Sequence, residues 1–280
     1  MMKHFVTLLF AACCLTTVGQ NNCSLVYDGN GDGAVGSADL IGLLSEYGIN
    51  CNEPGISECG NTVSYQGYNY ATILIGEQCW FAENLRNENY ENGDAIPSGL
   101  SDSEWSSTSA DATAVYGEDA GCQNYSPDID ACDPAQSQNE YGRLYNWHAV
   151  DDVRGLCPSG WHVPSDVEWM TLEMALGMSE LEANNTGWRG TDQGVQMKAS
   201  YGWFQGGNGT NSSGFSSLPG GFRYNNGAFY NAGIDGFWWS SSPNGSSAWF
   251  RNLVSSNENV SRYTYSPRFG FSVRCLKDTE

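Results

Sequence analysis

An even set of cysteines behind a secretory leader limits the folds open to this chain more than any other feature. Ten cysteines occur in 280 residues, and Cys13 and Cys14 fall in the leader, which leaves eight. Residues 1–20 read as a signal peptide: Lys3 and His4 give a basic start, Phe5 to Leu15 is apolar, and Thr17-Val18-Gly19 offers small residues before a cut. That apolar run is too short to span a bilayer, and no later stretch is long enough. The competing lipoprotein reading needs cleavage before Cys13 or Cys14, with Phe10 or Ala11 standing where a lipobox prefers Leu. The remaining Cys23, Cys51, Cys59, Cys79, Cys122, Cys132, Cys157 and Cys275 read as disulfides of a secreted or cell-surface protein. No CxxC pair is present, and only His148 and His162 remain after the leader, which argues against zinc. Loop lengths rank the pairings without fixing them: Cys23 with Cys51, Cys122 with Cys132, Cys157 with Cys275, and Cys59 with Cys79.

Between the first two of these cysteines lies a loop with calcium-ligand spacing. Asp28, Asn30 and Asp32 place oxygens at loop positions one, three and five, and Gly33 sits where the backbone must turn around the ion. Ala34 offers its carbonyl at position seven and Asp39 closes the loop at position twelve. Without a cation these carboxylates would repel one another. Ser37 caps a helix whose Leu40, Leu43, Leu44 and Tyr47 form one apolar stripe, stopped by Gly48. The expected cofactor is therefore Ca2+, held as a structural ion by a small unit spanning residues 21–58. The unit resembles a dockerin repeat, although dockerins carry two copies and this chain carries one. Its apolar stripe can pack on the neighbouring domain or dock a partner.

The formal charge is −20, from 12 basic and 32 acidic residues, a balance that repels nucleic acid and anionic membranes. With Gly 34, Trp 10 and Tyr 15, residues 59–280 read as an α+β domain of short antiparallel strands with few helices. Tyr70 to Ile75 alternates as a strand, and strand-like pieces recur at 215–216, 236–240, 248–251 and 270–275. Ser165 and Glu168 form a capping box ahead of Trp169, Leu172 and Leu176, which predicts a helix ending at Gly177. A second short helix is expected over Met178 to Ala183. Residues 90–139 are acidic and lack periodicity, so they are expected to form a surface insertion.

Several motifs carry a further resemblance. They are Ile75-Gly76-Glu77-Gln78-Cys79-Trp80-Phe81-Ala82-Glu83-Asn84-Leu85-Arg86, Gly142-Arg143-Leu144-Tyr145-Asn146-Trp147, Gly155 to Ser165, Gly209 to Phe215, Leu218 to Arg223, Phe237 to Ser242 and Gly270 to Cys275. In this order they resemble the Fibrobacter succinogenes major paralogous domain. The resemblance implies an exported or surface protein and a fold similar to C-type lectins and formylglycine-generating-enzyme-like domains. It supplies no catalytic residues.

Two functions compete. In the first, a non-catalytic extracellular binding or adhesion module takes a glycan or protein partner, with Trp188, Trp203, Trp238, Trp239 and Trp249 stacking on sugar rings. In the second, suggested by the dockerin-like unit, the chain belongs to a polysaccharide-degrading system, as a hydrolase or as a docked component. A glycosidase needs two carboxyls across the scissile bond, and Glu83, Asp166, Glu168, Glu173 and Asp235 are available. Glu168 reads equally as a helix cap, and there is no Gly-x-Ser-x-Gly elbow.

Overall fold

The computed structural model describes residues 59–119 and 121–279. The leader and the calcium unit, with Asp28, Asn30, Asp32, Ala34, Asp39, Cys23 and Cys51, lie outside the described residues. The described part is β-rich, of the α+β class, with two sheets. A five-stranded sheet runs in the order β1 (Thr62–Tyr65), β2 (Tyr68–Ile75), β3 (Gln78–Phe81), β14 (Leu276–Lys277) and β6 (Trp161–His162). A nine-stranded sheet follows the order β4 (Thr113–Ala114), β5 (Leu144–Asn146), β13 (Gly270–Phe271), β8 (Gly220–Arg223), β10 (Asp235–Asn244), β11 (Ser247–Val254), β12 (Val260–Tyr265) and β7 (Gly187–Arg189). Strand β9 (Phe229–Ala232) pairs with β8.

Several strands carry consecutive buried aromatics, because both of their faces are covered. Successive strand residues point to opposite sides. In β3, Trp80 enters one hydrophobic cluster with Trp169, Phe215 and Trp238, while Phe81 enters another with Tyr70, Trp239 and Phe271. Adjacent Trp238 and Trp239 of β10 divide between the same two clusters.

Among the described residues the α-helices are α1 (Asp102–Ser107), α2 (Pro134–Tyr141), α3 (Trp147–Val150), α4 (Asp166–Ala175), α5 (Glu180–Ala183) and α6 (Gln193–Met197). Helix α4 begins at the expected capping box: the Ser165 hydroxyl accepts from the Glu168 amide, and the Glu168 carboxylate accepts from the Ser165 amide. A like box of Ser179 and Glu182 starts α5. The anticipated strand at 215–216 is absent; pairing there is a single bridge between Lys198 and Ser217.

Residues 90–139 correct the expectation of a surface insertion. Trp105, Ala112, Ala114, Tyr116, Ile129 and Ala131 are buried and form a third cluster with Tyr141 and Leu144. Apolar side chains spaced irregularly along loops leave no period, yet they bury as well as those on a strand. Gly142, just after α2, shows how tightly the chain that follows this segment meets the stretch after β3: at φ 76, a Cβ there would lie 2.6 Å from the Leu85 carbonyl oxygen. Three disulfides join Cys59 to Cys79, Cys122 to Cys132 and Cys157 to Cys275. The last closes 118 residues, and a loop of that order removes roughly 4–5 kcal/mol of unfolded-state entropy in the chain-entropy account.

A buried ion network fixes α4 to the larger sheet. Glu173 accepts from Arg189 Nη1 at 2.7 Å and Arg251 Nε at 2.6 Å. Asp166 accepts from Arg251 Nη1 at 2.8 Å and Arg262 Nη2 at 2.6 Å. Burial pushes the Asp166 carboxyl up, but the bonds from Arg262 and Arg251 overcome it and hold it below the usual range. Removing one partner leaves a charge buried without compensation. Glu173→Gln is expected to lower unfolding free energy by about 3–5 kcal/mol, read by urea denaturation, whereas Glu77→Gln on the exposed β2–β3 turn should shift it by less than about 0.5 kcal/mol. Equal effects from the two would reject the clamp.

Candidate functional site

The structure corrects three of the five expected stacking residues. Trp203, Trp238 and Trp239 are fully buried. Their indole N–H groups are also engaged: Trp203 donates to the Ser217 carbonyl at 3.1 Å, Trp238 to Asn84 Oδ1 at 2.9 Å, and Trp239 to the Tyr145 carbonyl at 2.8 Å. Two-sided coverage of the strands turns these rings into core. Trp249 is half-buried, with the Arg262 guanidinium 3.9 Å from its ring centroid. Trp188 alone of the five is well exposed, at 46%.

Around Trp188 the sheet gathers other exposed rings. Trp188 of β7 pairs with Ser261 of β12, and residues two and four further along that strand share its face. These are Tyr263 and Tyr265, exposed at 53% and 41%. Steps along the strand place them about 7 Å apart. The ring of Tyr265 is fixed from both neighbouring segments: it stacks on Phe250 at 4.8 Å and on Phe269 at 4.6 Å. Phe269 in turn meets Tyr224 edge-on at 4.8 Å. Beyond it, Phe222, Tyr224, Tyr230 and Asn231 line a shallow hollow of about 270 Å³. Asn231, at φ 66, donates to Asp235 Oδ2 at 2.7 Å, and burial pushes the Asp235 carboxyl up. The result is a row of flat apolar faces with hydroxyls at their rims and an amide beside them. In the sequence the signal for these tyrosines is the Tyr-x-Tyr alternation of 263 and 265, which puts both rings on one strand face.

Four of the five carboxylates offered for hydrolysis are committed elsewhere, and Asp235 stands without a second of them beside it to form a pair. Glu83 pairs with Arg86 at 2.6 Å, and Asp166 and Glu173 belong to the arginine network. Glu168 caps α4 and bonds His162 Nε2 at 2.9 Å, while Asp278 bonds His162 Nδ1 at 2.5 Å. With both nitrogens occupied, His162 ties the last strand to α4 and has no lone pair free for a base. Its bond to Glu168, helped by Asp278 and opposed by burial, pushes its pKa from 6.5 up to about 8. Burial opposes ionisation of Glu168, but His162 and Ser165 bring its pKa from 4.5 down to about 2. Among the described residues no group of three or more His, Cys, Asp or Glu is placed to hold a metal ion.

The motif segments converge on Asn84. Its amide donates to the Tyr141 carbonyl at 2.8 Å, and its oxygen accepts from Trp238 Nε1 and Arg274 Nε, each at 2.9 Å. Arg274 also donates to the carbonyls of Phe81, Phe215 and Ser216. One amide and one guanidinium thus join five stretches of chain. Residues 73–277 match the family model described as the Fibrobacter succinogenes major domain, and the chain belongs to that family. No curated protein and no solved structure matches it. No helix among the described residues is long and apolar enough to cross a membrane.

The His162 cluster predicts a pH dependence. A raised folded-state pKa stabilises fully below 6.5 and is lost as pH rises through about 8. The lowered Glu168 value stabilises above 4.5 and is lost as pH falls toward about 2. Melting temperatures of the native protein and His162→Gln should differ most near pH 6 and converge by about pH 9. A constant difference across that range would show that His162 is not titrating against its carboxylates.

Proposed function

We propose that the protein is a secreted or cell-surface binding module that takes a glycan through the face of Trp188, Tyr263 and Tyr265. The observation that carries this reading is the row of exposed rings on one sheet face, with Tyr265 held in place by stacking from Phe250 and Phe269. Flat aromatic faces pack against the C–H side of sugar rings while nearby hydroxyls and amides bind sugar hydroxyls. The committed carboxylates favour binding over hydrolysis. The domain is read as C-type-lectin-like, and the loop of Asp28, Asn30, Asp32, Ala34 and Asp39 as a separate structural Ca2+ site. Sites of this kind outside the cell commonly bind at roughly 10⁻⁴ to 10⁻³ M.

A glycan array screened with calcium and with chelator should find a glycan class bound under both conditions. Trp188→Ala and Tyr263→Ala should each weaken that binding about tenfold, or 1.4 kcal/mol, without changing the melting temperature appreciably. Undiminished binding in both variants would remove the aromatic face from the function. Separately, Asp28→Ala combined with Asp32→Ala should abolish thermal stabilisation by calcium; stabilisation that persists would disprove the loop assignment.

A further inference from the structure

A second cavity, of about 310 Å³, is lined in part by Arg274, Ser216, Asn211, Ser200, Tyr201 and Glu140. It is monosaccharide-sized and differs in chemistry from the aromatic face. Arg274 is 1% exposed. Among the described residues every other buried arginine has a carboxylate partner: Arg143 has Glu88, Arg189 has Glu173, Arg223 has Glu118, Arg251 has Asp166 and Glu173, and Arg262 has Asp166. Arg274 has neutral oxygens only, from Asn84, Phe81, Phe215 and Ser216. These engage four of its five N–H groups and leave one Nη2 hydrogen uncommitted.

Burial draws the guanidinium pKa down to about 9 against the opposing pull of Glu83, whose carboxylate is bonded to Arg86 and makes no bond to Arg274. Arg86, at the same cavity, is already neutralised by Glu83 at 2.6 Å. The wall is built to hold its shape. Asn211 and Ser216 both adopt left-handed backbone, at φ 52 and φ 54, and are locked to each other by two bonds of 2.8 Å. Such strain persists only where the surroundings over-determine it. It turns the Ser216 carbonyl onto Arg274. Hydroxyls and acceptors complete the lining, with the exposed Ser200, the exposed Tyr201 ring and Glu140, whose carboxylate accepts from the Tyr201 hydroxyl at 3.3 Å.

We propose that this cavity binds a sugar acid, its carboxylate seated against Arg274 and its hydroxyls on the Ser200, Tyr201 and Glu140 side. An entering carboxylate supplies the anion that the other buried arginines already have, in a setting where the attraction is weakly screened. The hydroxyl-bearing wall matches a polyol, and the Tyr201 ring offers a face to it.

The test is calorimetric titration of the mature protein with galacturonate, galactose and alanine. Galacturonate should bind at least about tenfold more tightly than galactose, since only it carries the charge. Ser200→Trp, which fills the cavity from its exposed side and leaves the Asn84–Arg274 contacts untouched, should weaken galacturonate by about tenfold or more. Trp188→Ala should leave it unchanged, so this site and the aromatic face can fail separately. Equal affinity for galactose, tighter binding of alanine, no binding at all, or indifference to Ser200→Trp would each overturn the proposal.

Discussion

The arrangement of both sheets depends on two buried acids on one short helix. Asp166 and Glu173 lie on α4 and draw in Arg251 of β11, Arg262 of β12 and Arg189 of β7. From the same helix, Trp169 meets Trp80 of the smaller sheet at 4.9 Å. The buried face of α4, with Asp166, Trp169 and Glu173 at i, i+3 and i+7, thus holds the larger sheet electrostatically and meets the smaller sheet through aromatic packing. Three arginines against two carboxylates leave the network formally +1, and the rings of Trp169 and Trp249 lie near two of the guanidiniums. Cation–π contact suits such an excess, because it stabilises positive charge without adding a counterion.

Clamping both sheets about α4 settles which aromatics can serve a ligand. Strands enclosed on both faces take every consecutive aromatic inward, so Trp238 and Trp239 contribute packing and have no face left for recognition. At the β12–β7 margin exposure returns: there the inward face is held by arginines and the outward face carries tyrosines. The proposed aromatic face therefore lies on a margin that is packed from beneath and open above. A preorganised surface of this kind loses little conformational entropy when a ligand arrives.

Much of this was legible in the sequence, and the failures have physical causes. The capping box at Ser165, the β-rich class and the family were readable because each depends on local chemistry or on motifs in order. The three disulfides among the described residues match the pairing ranked from the cysteine positions, one of them across 118 residues. Segment 90–139 was not readable, since burial by irregular loops leaves no period for Trp105 or Ile129 to reveal. Nor was the fate of the tryptophans: a ring in a strand is core or surface according to what covers the second face, and that is decided by residues distant in the chain. The pairing of Arg251 with Asp166 spans 85 positions, and nothing local marks either as the other's partner.

The distribution of charge follows from the same long-range pairing. Of 12 basic residues, Arg143, Arg189, Lys198, Arg223, Arg251, Arg262 and Arg274 are buried. The formal charge of −20 therefore understates how acidic the outer surface is, since much of the positive charge lies inside. Such a surface discourages approach by polyanions, and salt screens that repulsion over roughly 8 Å at physiological ionic strength. For the proposed glycan face this field favours uncharged contact, of the kind the exposed tyrosines and Trp188 offer. A buried cation acts in the opposite regime, at short range and in low dielectric, where one guanidinium can outweigh a distant, screened field. In the proposed reading the two surfaces divide by range: aromatic rings outside, where the acidic field is screened, and a single enclosed guanidinium inside, where charge acts at short range.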